Sequence, residues 1–387
     1  MLRVLDERPT EEREPLMKMT TRLRILLLTI TGLVAAVALG ACGDDDSTST
    51  SGSSGSAGKI SFLLPETQTA RYETQDKPLF EQKVAELCPD CEVLYQNADQ
   101  DATKQQSQLE AAVTEGVDVI VLDPVDSTSA SGMVSRAQQA EIPVISYDRL
   151  ILDADLAAYT EFNSSEVGKQ QGEALAQALA DGGNPKGPII QINGDPKDNN
   201  AKLFKEGATA VFKSDGIDVA QEYDTPDWLP ENAQKEMDQG ITAVGKDGFS
   251  GVLAANDGTA GGAIAALKGA GIDPATIPVT GQDAELAAIQ RILAGEQYMT
   301  VYKPIKPLAD NAATLAVAVV NGEDPADSDV INGTEDNGTE EVPTAITDTV
   351  PVFADNVADT VVADGYWTAK DICTKQYAQD CKDAGIQ

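Results

Sequence analysis

The sequence predicts an α/β protein of two lobes, each built on a parallel sheet, and three observations carry that prediction. Short β-rich runs alternate with amphipathic stretches from Lys59 onward; the alternation pauses near Phe162 and restarts; and polar residues gather where the predicted strands end. At 387 residues with 42% hydrophobic side chains, the chain is long enough to bury two ordinary cores.

The elements follow in order. "KISFLL" is the first strand and a helix runs from beyond it to about Leu87; then come strand "CEVLY", a helix over "TKQQSQLEAAVTEG", strand "VDVIVL", a helix over "SGMVSRAQQA" and strand "IPVISY". After Phe162 the order is a helix over "EVGKQQGEALAQALA", strand "GPIIQI", a helix over "AKLFKEGATAVF", strand "IDVAQEY" and a helix beyond Trp228. Strand "GVLAAN", a helix over "TAGGAIAALKGA", strand "IPVTGQ", a helix over "AELAAIQRILAG" and strand "QYMTVY" complete it. Parallel strands need long crossovers, and these helices supply them. None opens with a GxGxxG or Walker-type glycine pattern, so a nucleotide is not indicated.

Polar and aromatic residues follow the strands: Asp123, then Tyr147, Asp148 and Arg149, then Asn256 and Asp257, then Gln282 and Asp283. That edge of an open α/β sheet is where ligands bind. Singly, each also suits a helix cap or turn, as Asp283 does before "AELAAIQRI". Together, across both lobes, they predict a polar cleft between them.

Composition narrows the function. With 28 basic against 63 acidic side chains the formal charge is -35, which repels nucleic-acid phosphate. The absence of histidine removes the commonest general base, the usual metal ligand and the Ser-His and Cys-His pairings; an enzyme remains possible through carboxylates or lysine. No cofactor and no metal are expected. The acidic segment 321–343 reads as a solvated surface loop without the spacing of a calcium loop.

Lys18, Arg22 and Arg24 precede an uncharged run over 25–40, shorter than the roughly 20 residues a comfortable membrane-spanning helix needs, and so read as an export signal. Met17 and Met19 stand where such a signal would begin. Leu39, Gly40, Ala41 and Cys42 resemble the lipobox of bacterial lipoproteins, which implies a cut before Cys42 and acyl chains on it. Residues 1–41 would then be extension and signal, and 42–58 a lipidated cysteine with a Ser/Gly/Asp tether, leaving the protein extracytoplasmic and anchored to the membrane. An even number of cysteines remains, Cys88, Cys91, Cys373 and Cys381; three pairings can be drawn, and the local one, Cys88 with Cys91 and Cys373 with Cys381, is expected.

The stretches "SYDRLILDADLAAY", "DPKDNNAKLFKEGA", "DWLPENA", "AANDGTAGGAIAAL", "GQDAELAAIQRI" and "MTVYKPI" resemble segments of the ribose/galactose-type periplasmic sugar-binding proteins of bacterial ABC transporters, the D-xylose-binding members above all. The resemblance runs from about Lys59 to Asp364. It implies two Rossmann-like lobes with parallel sheets joined by a three-segment hinge, the fold of type I periplasmic binding proteins. The crossings would fall near 160–163, 302–304 and 344–350. The N-terminal lobe would take 59–162 plus 303–345, and the C-terminal lobe 163–302 plus 346–387.

The resemblance also implies the ligand set: Arg71, Tyr72, Asp148, Arg149, Asn199, Asn200, Trp228, Asn256, Asp257, Asp283 and Lys303. Tyr72 stands where the D-xylose-binding members carry tryptophan, and Gln68 where they carry another arginine. The function implied is capture of a monosaccharide, D-xylose first, by a monomer that delivers it to a permease with its ATPase and performs no chemistry. Glucose, arabinose or ribose as ligand, and a receptor role read by a sensor protein, are the alternatives the sequence leaves open.

Overall fold

The computed structural model describes residues 58–386. The export signal, Cys42 and nearly all of the tether lie outside the described residues. Up to the first crossing the chain runs β1 (Lys59–Leu64), α1 (Lys77–Leu87), β2 (Glu92–Asn97), α2 (Ala102–Glu115), β3 (Val119–Leu122), α3 (Ser131–Gln138), β4 (Val144–Tyr147) and β5 (Ala158–Phe162). It continues through α4 (Ser164–Asp181), β6 (Ile189–Asn193), α5 (Asn199–Asp215), β7 (Val219–Asp224), α6 (Pro230–Val244), β8 (Gly251–Ala254), α7 (Asp257–Gly269), α8 (Leu286–Leu293) and β9 (Thr300–Tyr302). Then come α9 (Ile305–Val320), β10 (Gly333–Asp336), β11 (Glu341–Thr347), β12 (Val350–Val352), α10 (Ala369–Ile372) and α11 (Ala378–Asp383).

The first lobe holds a sheet in the order β10-β11-β5-β4-β3-β1-β2, parallel except for the antiparallel β10. Its inner strands β3, β4 and β5 are buried along their whole length, as a parallel sheet covered by helices on both faces requires. The second lobe holds the parallel order β7-β6-β8. "IPVTGQ" meets that sheet at one lone bridge, Val252 with Val279, and β9 at another, Gln282 with Val301, and forms no continuous strand. The chain passes between the lobes after β5, after β9 and between β11 and β12, and β9 and β12 pair antiparallel.

Two further segments differ from expectation. The acidic stretch 321–343 is not a plain loop: β10 and the start of β11 form a hairpin on the edge of the first sheet. Its turn is fixed by Asn337, which is buried, accepts from Thr339 N and Glu340 N, and donates to the carbonyls of Ile151 and Ala154. The C-terminal residues 357–386 do not sit with the second lobe alone. Val357, Val361, Tyr366, Ile372 and Cys381 share a core with α9 and β1 of the first lobe and with Ile289 and Ile292 of α8. Disulfides join Cys88 to Cys91 and Cys373 to Cys381, with Cα separations of 5.3 and 5.8 Å.

Helices α4 and α5 touch backbone to backbone through glycines. A Cβ at Gly168 would lie 2.0 Å from the Phe204 carbonyl oxygen, and one at Gly207 would lie 2.3 Å from that of Ser165. Gly168→Ala is therefore expected to lower stability by about 1–3 kcal/mol, the usual cost of overpacking. A urea midpoint equal to that of the unsubstituted protein would contradict this contact.

Candidate functional site

The carboxyl ends of β1 and β4 in one lobe and of β6 and β8 in the other face a common cavity. It is lined by Thr69, Arg71, Tyr72, Asp148 and Arg149 on one side and by Asp198, Asn200, Phe204, Trp228, Asn256, Gln282 and Asp283 on the other, with Lys303 at a crossing. The space, mouth included, is about 290 Å³.

Arg71 lies in the turn after β1 and is almost fully buried. Its Nε and Nη2 donate to the two carboxylate oxygens of Asp76 at 2.9 and 2.7 Å, and its Nη1 is 3.2 Å from Asp148. The Tyr72 hydroxyl donates to Asp148 at 3.2 Å and accepts from Arg149 Nη2 at 3.3 Å. From the other lobe, Asp198 caps α5 and accepts from Trp228 Nε1 at 3.2 Å while pairing with Arg149 Nε at 3.0 Å. Asn256 caps α7 in a reciprocal capping box with Thr259. Asp283, a plausible cap by sequence, does not cap α8; it has φ 94° and holds Lys303 Nζ at 2.9 Å.

The lobes are closed on one another. Asn200 Nδ2 donates to the Asp148 carbonyl at 2.9 Å, Ser127 N donates to the Lys197 carbonyl at 3.0 Å, and Asn199 N donates to Ser127 Oγ at 3.1 Å. Burial acts to raise the Asp148 carboxyl, but Arg71, Lys303 and Arg149 outweigh it and hold Asp148 below the ordinary aspartate value. Burial pushes the carboxyls of Asp198 and Asp123 up, against the attraction of Arg149. Among the described residues, three buried acceptors of the lining, Asn200 Oδ1, Gln282 Oε1 and Asp283 Oδ1, have no hydrogen-bond partner, and of these only Asp283 Oδ1 has a cation, Lys303, beside it.

The structure thus gathers the implied ligand set around one cavity, with two exceptions, while Asp123 and Tyr147 of the strand-end residues lie outside its lining. Asn199 is only half-buried at the start of α5 and is absent from the lining. Asp257 is fully buried behind it: its carboxylate accepts from Glu285 N at 2.9 Å, Gln297 Nε2 at 2.7 Å and Thr300 Oγ1 at 3.0 Å, so it is saturated by the protein. Gln68 is exposed and outside the lining, where Thr69 takes its place. Thr69, Asp198 and Phe204 join the site without having been singled out. Phe204 is one helical turn beyond Asn200 and so shares its face, a signal available from spacing alone.

A two-lobed α/β protein closed over a small polar cavity belongs to the class of proteins that enclose a soluble ligand. The comparisons make that particular. A family model described as "Periplasmic binding protein domain" matches residues 60–324, and the chain belongs to that family. It is 38% identical over 312 residues to the D-xylose-binding periplasmic protein of Escherichia coli (strain K12), covering 80% of this chain and 90% of that one. It is 34% identical to a multiple sugar-binding periplasmic receptor of Rhizobium radiobacter, over 71% of this chain and 81% of that one. Among solved structures, a carbohydrate transporter solute binding protein from Chloroflexus aurantiacus in complex with D-glucose superposes with a TM-score of 0.72 at 30% identity, over 81% of this chain and 97% of that one.

Two outcomes follow from the geometry. A Cβ at Gly194 would lie 2.0 Å from the Trp228 ring, so Gly194→Ala is expected to displace the indole, visible as a change in tryptophan emission. An unchanged spectrum would contradict the packing. Burial raises the Asp257 carboxyl from its ordinary 3.8 to about 7, with Arg291 opposing. The folded state therefore favours the protonated form: this contribution is whole below the unfolded pKa and is lost as pH rises through the folded one. Between pH 5 and 7 the wild type should lose stability relative to Asp257→Asn by up to about 1.4 kcal/mol per pH unit. Parallel stability profiles would count against it.

Proposed function

We propose that this protein captures a free monosaccharide, D-xylose first among candidates, by closing its two lobes on it. It then delivers the sugar to a membrane permease with its ATPase. It is a binding protein and not an enzyme. The observation that carries the reading is the cavity's donor and acceptor set. Charged and amide groups surround it from both lobes, and Asn200 Oδ1 and Gln282 Oε1 are left without partners among the described residues. Sugar hydroxyls both donate and accept, so they can satisfy such groups in pairs, while the Trp228 indole packs on the C–H face of a ring.

Arg71, Tyr72, Asp148, Arg149, Asn200, Trp228, Asn256, Asp283 and Lys303 are proposed to touch the sugar, joined by Gln282 and Asp198. D-xylose ranks first because relatives at 38% and 36% identity are named as D-xylose-binding. D-glucose is the second reading, favoured by its presence in solved structures at 30% and 28% identity. Acylated Cys42 is proposed to hold the protein at the outer face of a bacterial cell membrane, as a monomer on its tether.

Calorimetric titration with D-xylose, D-glucose, L-arabinose and D-ribose tests the ligand. One-to-one binding of D-xylose is expected, near the micromolar range that corresponds to about -8 kcal/mol. Trp228→Ala should weaken it at least about tenfold with the circular dichroism unchanged, since a buried aromatic anchor carries a large share of binding energy. Heat with none of the four sugars would reject the reading. Cell fractionation tests the anchor: Cys42→Ala should release the protein, and retention at the membrane would reject it.

A further inference from the structure

The C-terminal segment touches the site from behind. The Tyr366 hydroxyl donates to the Asp283 carbonyl at 3.3 Å and Trp367 Nε1 donates to the Ala284 carbonyl at 2.8 Å. Asp283 and Ala284 have φ of 94° and 49°, a left-handed turn whose carbonyls cannot join a regular ladder and need other donors. The same turn is pinned on its other side: Asp283 N donates to the Val301 carbonyl, Ala284 N to Thr300 Oγ1 and Glu285 N to the Asp257 carboxylate.

The segment also reaches the first lobe. Gln75, within the turn 72–76 that carries Tyr72 and Asp76, donates from Nε2 to the Tyr366 carbonyl at 3.5 Å. The Tyr366 ring packs edge-on against Tyr302 at the second crossing and against Trp367, with centroids 5.1 and 5.4 Å apart. Beyond it, Gln290 of α8 donates to the Ile372 carbonyl at 3.1 Å, and the Cys373–Cys381 disulfide closes the end of the segment. One residue therefore contacts both the turn bearing Arg71's partner and the turn bearing Asp283.

We propose that Tyr366 and Trp367 are positioning residues for ligand capture: they fix the Asp283 turn against the Arg71 turn and so set how firmly the closed lobes hold the ligand. The proposal rests on the sugar reading above. Neither residue lines the cavity, so they act through Asp283 and not by touching the ligand.

The test uses the whole protein with D-xylose, D-glucose, L-arabinose and D-ribose, comparing wild type with Tyr366→Phe and Trp367→Phe. Tyr366→Phe keeps the ring and deletes its donor; Trp367→Phe keeps an aromatic ring, smaller than the indole, and deletes its donor. Affinity for the sugar the wild type binds should fall about 3- to 10-fold, the factor of one lost hydrogen bond, through faster dissociation. The chain has two tryptophans. The indole N–H resonance that disappears in Trp367→Phe should shift in the wild type when sugar is added. Equal affinity and dissociation rate in both variants would overturn the inference alone. So would a fall in affinity matched by loss of thermal stability with a Trp367 resonance indifferent to sugar, which marks a purely structural role. A wild type silent to all four sugars would overturn the sugar reading and this inference with it.

Discussion

Three buried cations, Arg71, Arg149 and Lys303, are neutralised by carboxylates drawn from both lobes, and the Arg149–Asp198 pair ties the lobes together across the cavity. Arg71 is clamped by Asp76 on its own turn but also faces Asp148 at 3.2 Å and Asp283 at 4.0 Å. Arg149 reaches across to Asp198, and Lys303 to Asp283. An unpaired buried charge is very costly, whereas a paired and hydrogen-bonded one is tolerable. Separation of the lobes would have to return the Arg149 and Asp198 charges to water, so closure and charge pairing are one event.

Around these cations stand the carboxylates of Asp76, Asp123, Asp148, Asp198 and Asp283, more acceptors than the cations neutralise. Such a site is rich in acceptors. A neutral polyhydroxyl ligand fits it, because each hydroxyl can donate to a carboxylate and accept from a guanidinium. The backbone at the lining is itself unusual: Asp148, Trp228 and Asp283 have φ of 56°, 55° and 94°. Such conformations cost about 1–3 kcal/mol each in a residue other than glycine. Each aims a side chain into the cavity from a turn just beyond a strand or a short helical turn, and tertiary contacts hold it there. The Tyr159 hydroxyl holds the Asp148 carbonyl at 2.7 Å, Gly194 leaves room beneath Trp228, and the C-terminal aromatics hold Asp283 and Ala284.

Much of this was legible in the chain. The alternation of strand and helix runs gives the two sheets, and the polar residues after the strands do converge, because a parallel sheet presents all its carboxyl ends on one edge. What was not legible depends on contacts remote in sequence. Asp257 reads like its neighbour Asn256, yet three donors from 285–300 saturate its carboxylate. "IPVTGQ" has the composition of a strand but meets its neighbours at single bridges. The hairpin in 321–343 is hidden because its strand residues are acidic, and the buried Asn337 that fixes its turn looks like any other loop asparagine. The C-terminal segment has no periodicity that would assign it to one lobe, and it serves both.

Co-crystallisation with the sugar that binds would put the account to its plainest test. The account predicts one sugar enclosed between the lobes, with hydroxyls on Asn200 Oδ1 and Gln282 Oε1, a ring face on Trp228, and the Arg149–Asp198 pair intact. A sugar seated elsewhere, or one enclosed there with both amide oxygens still unpartnered, would contradict it.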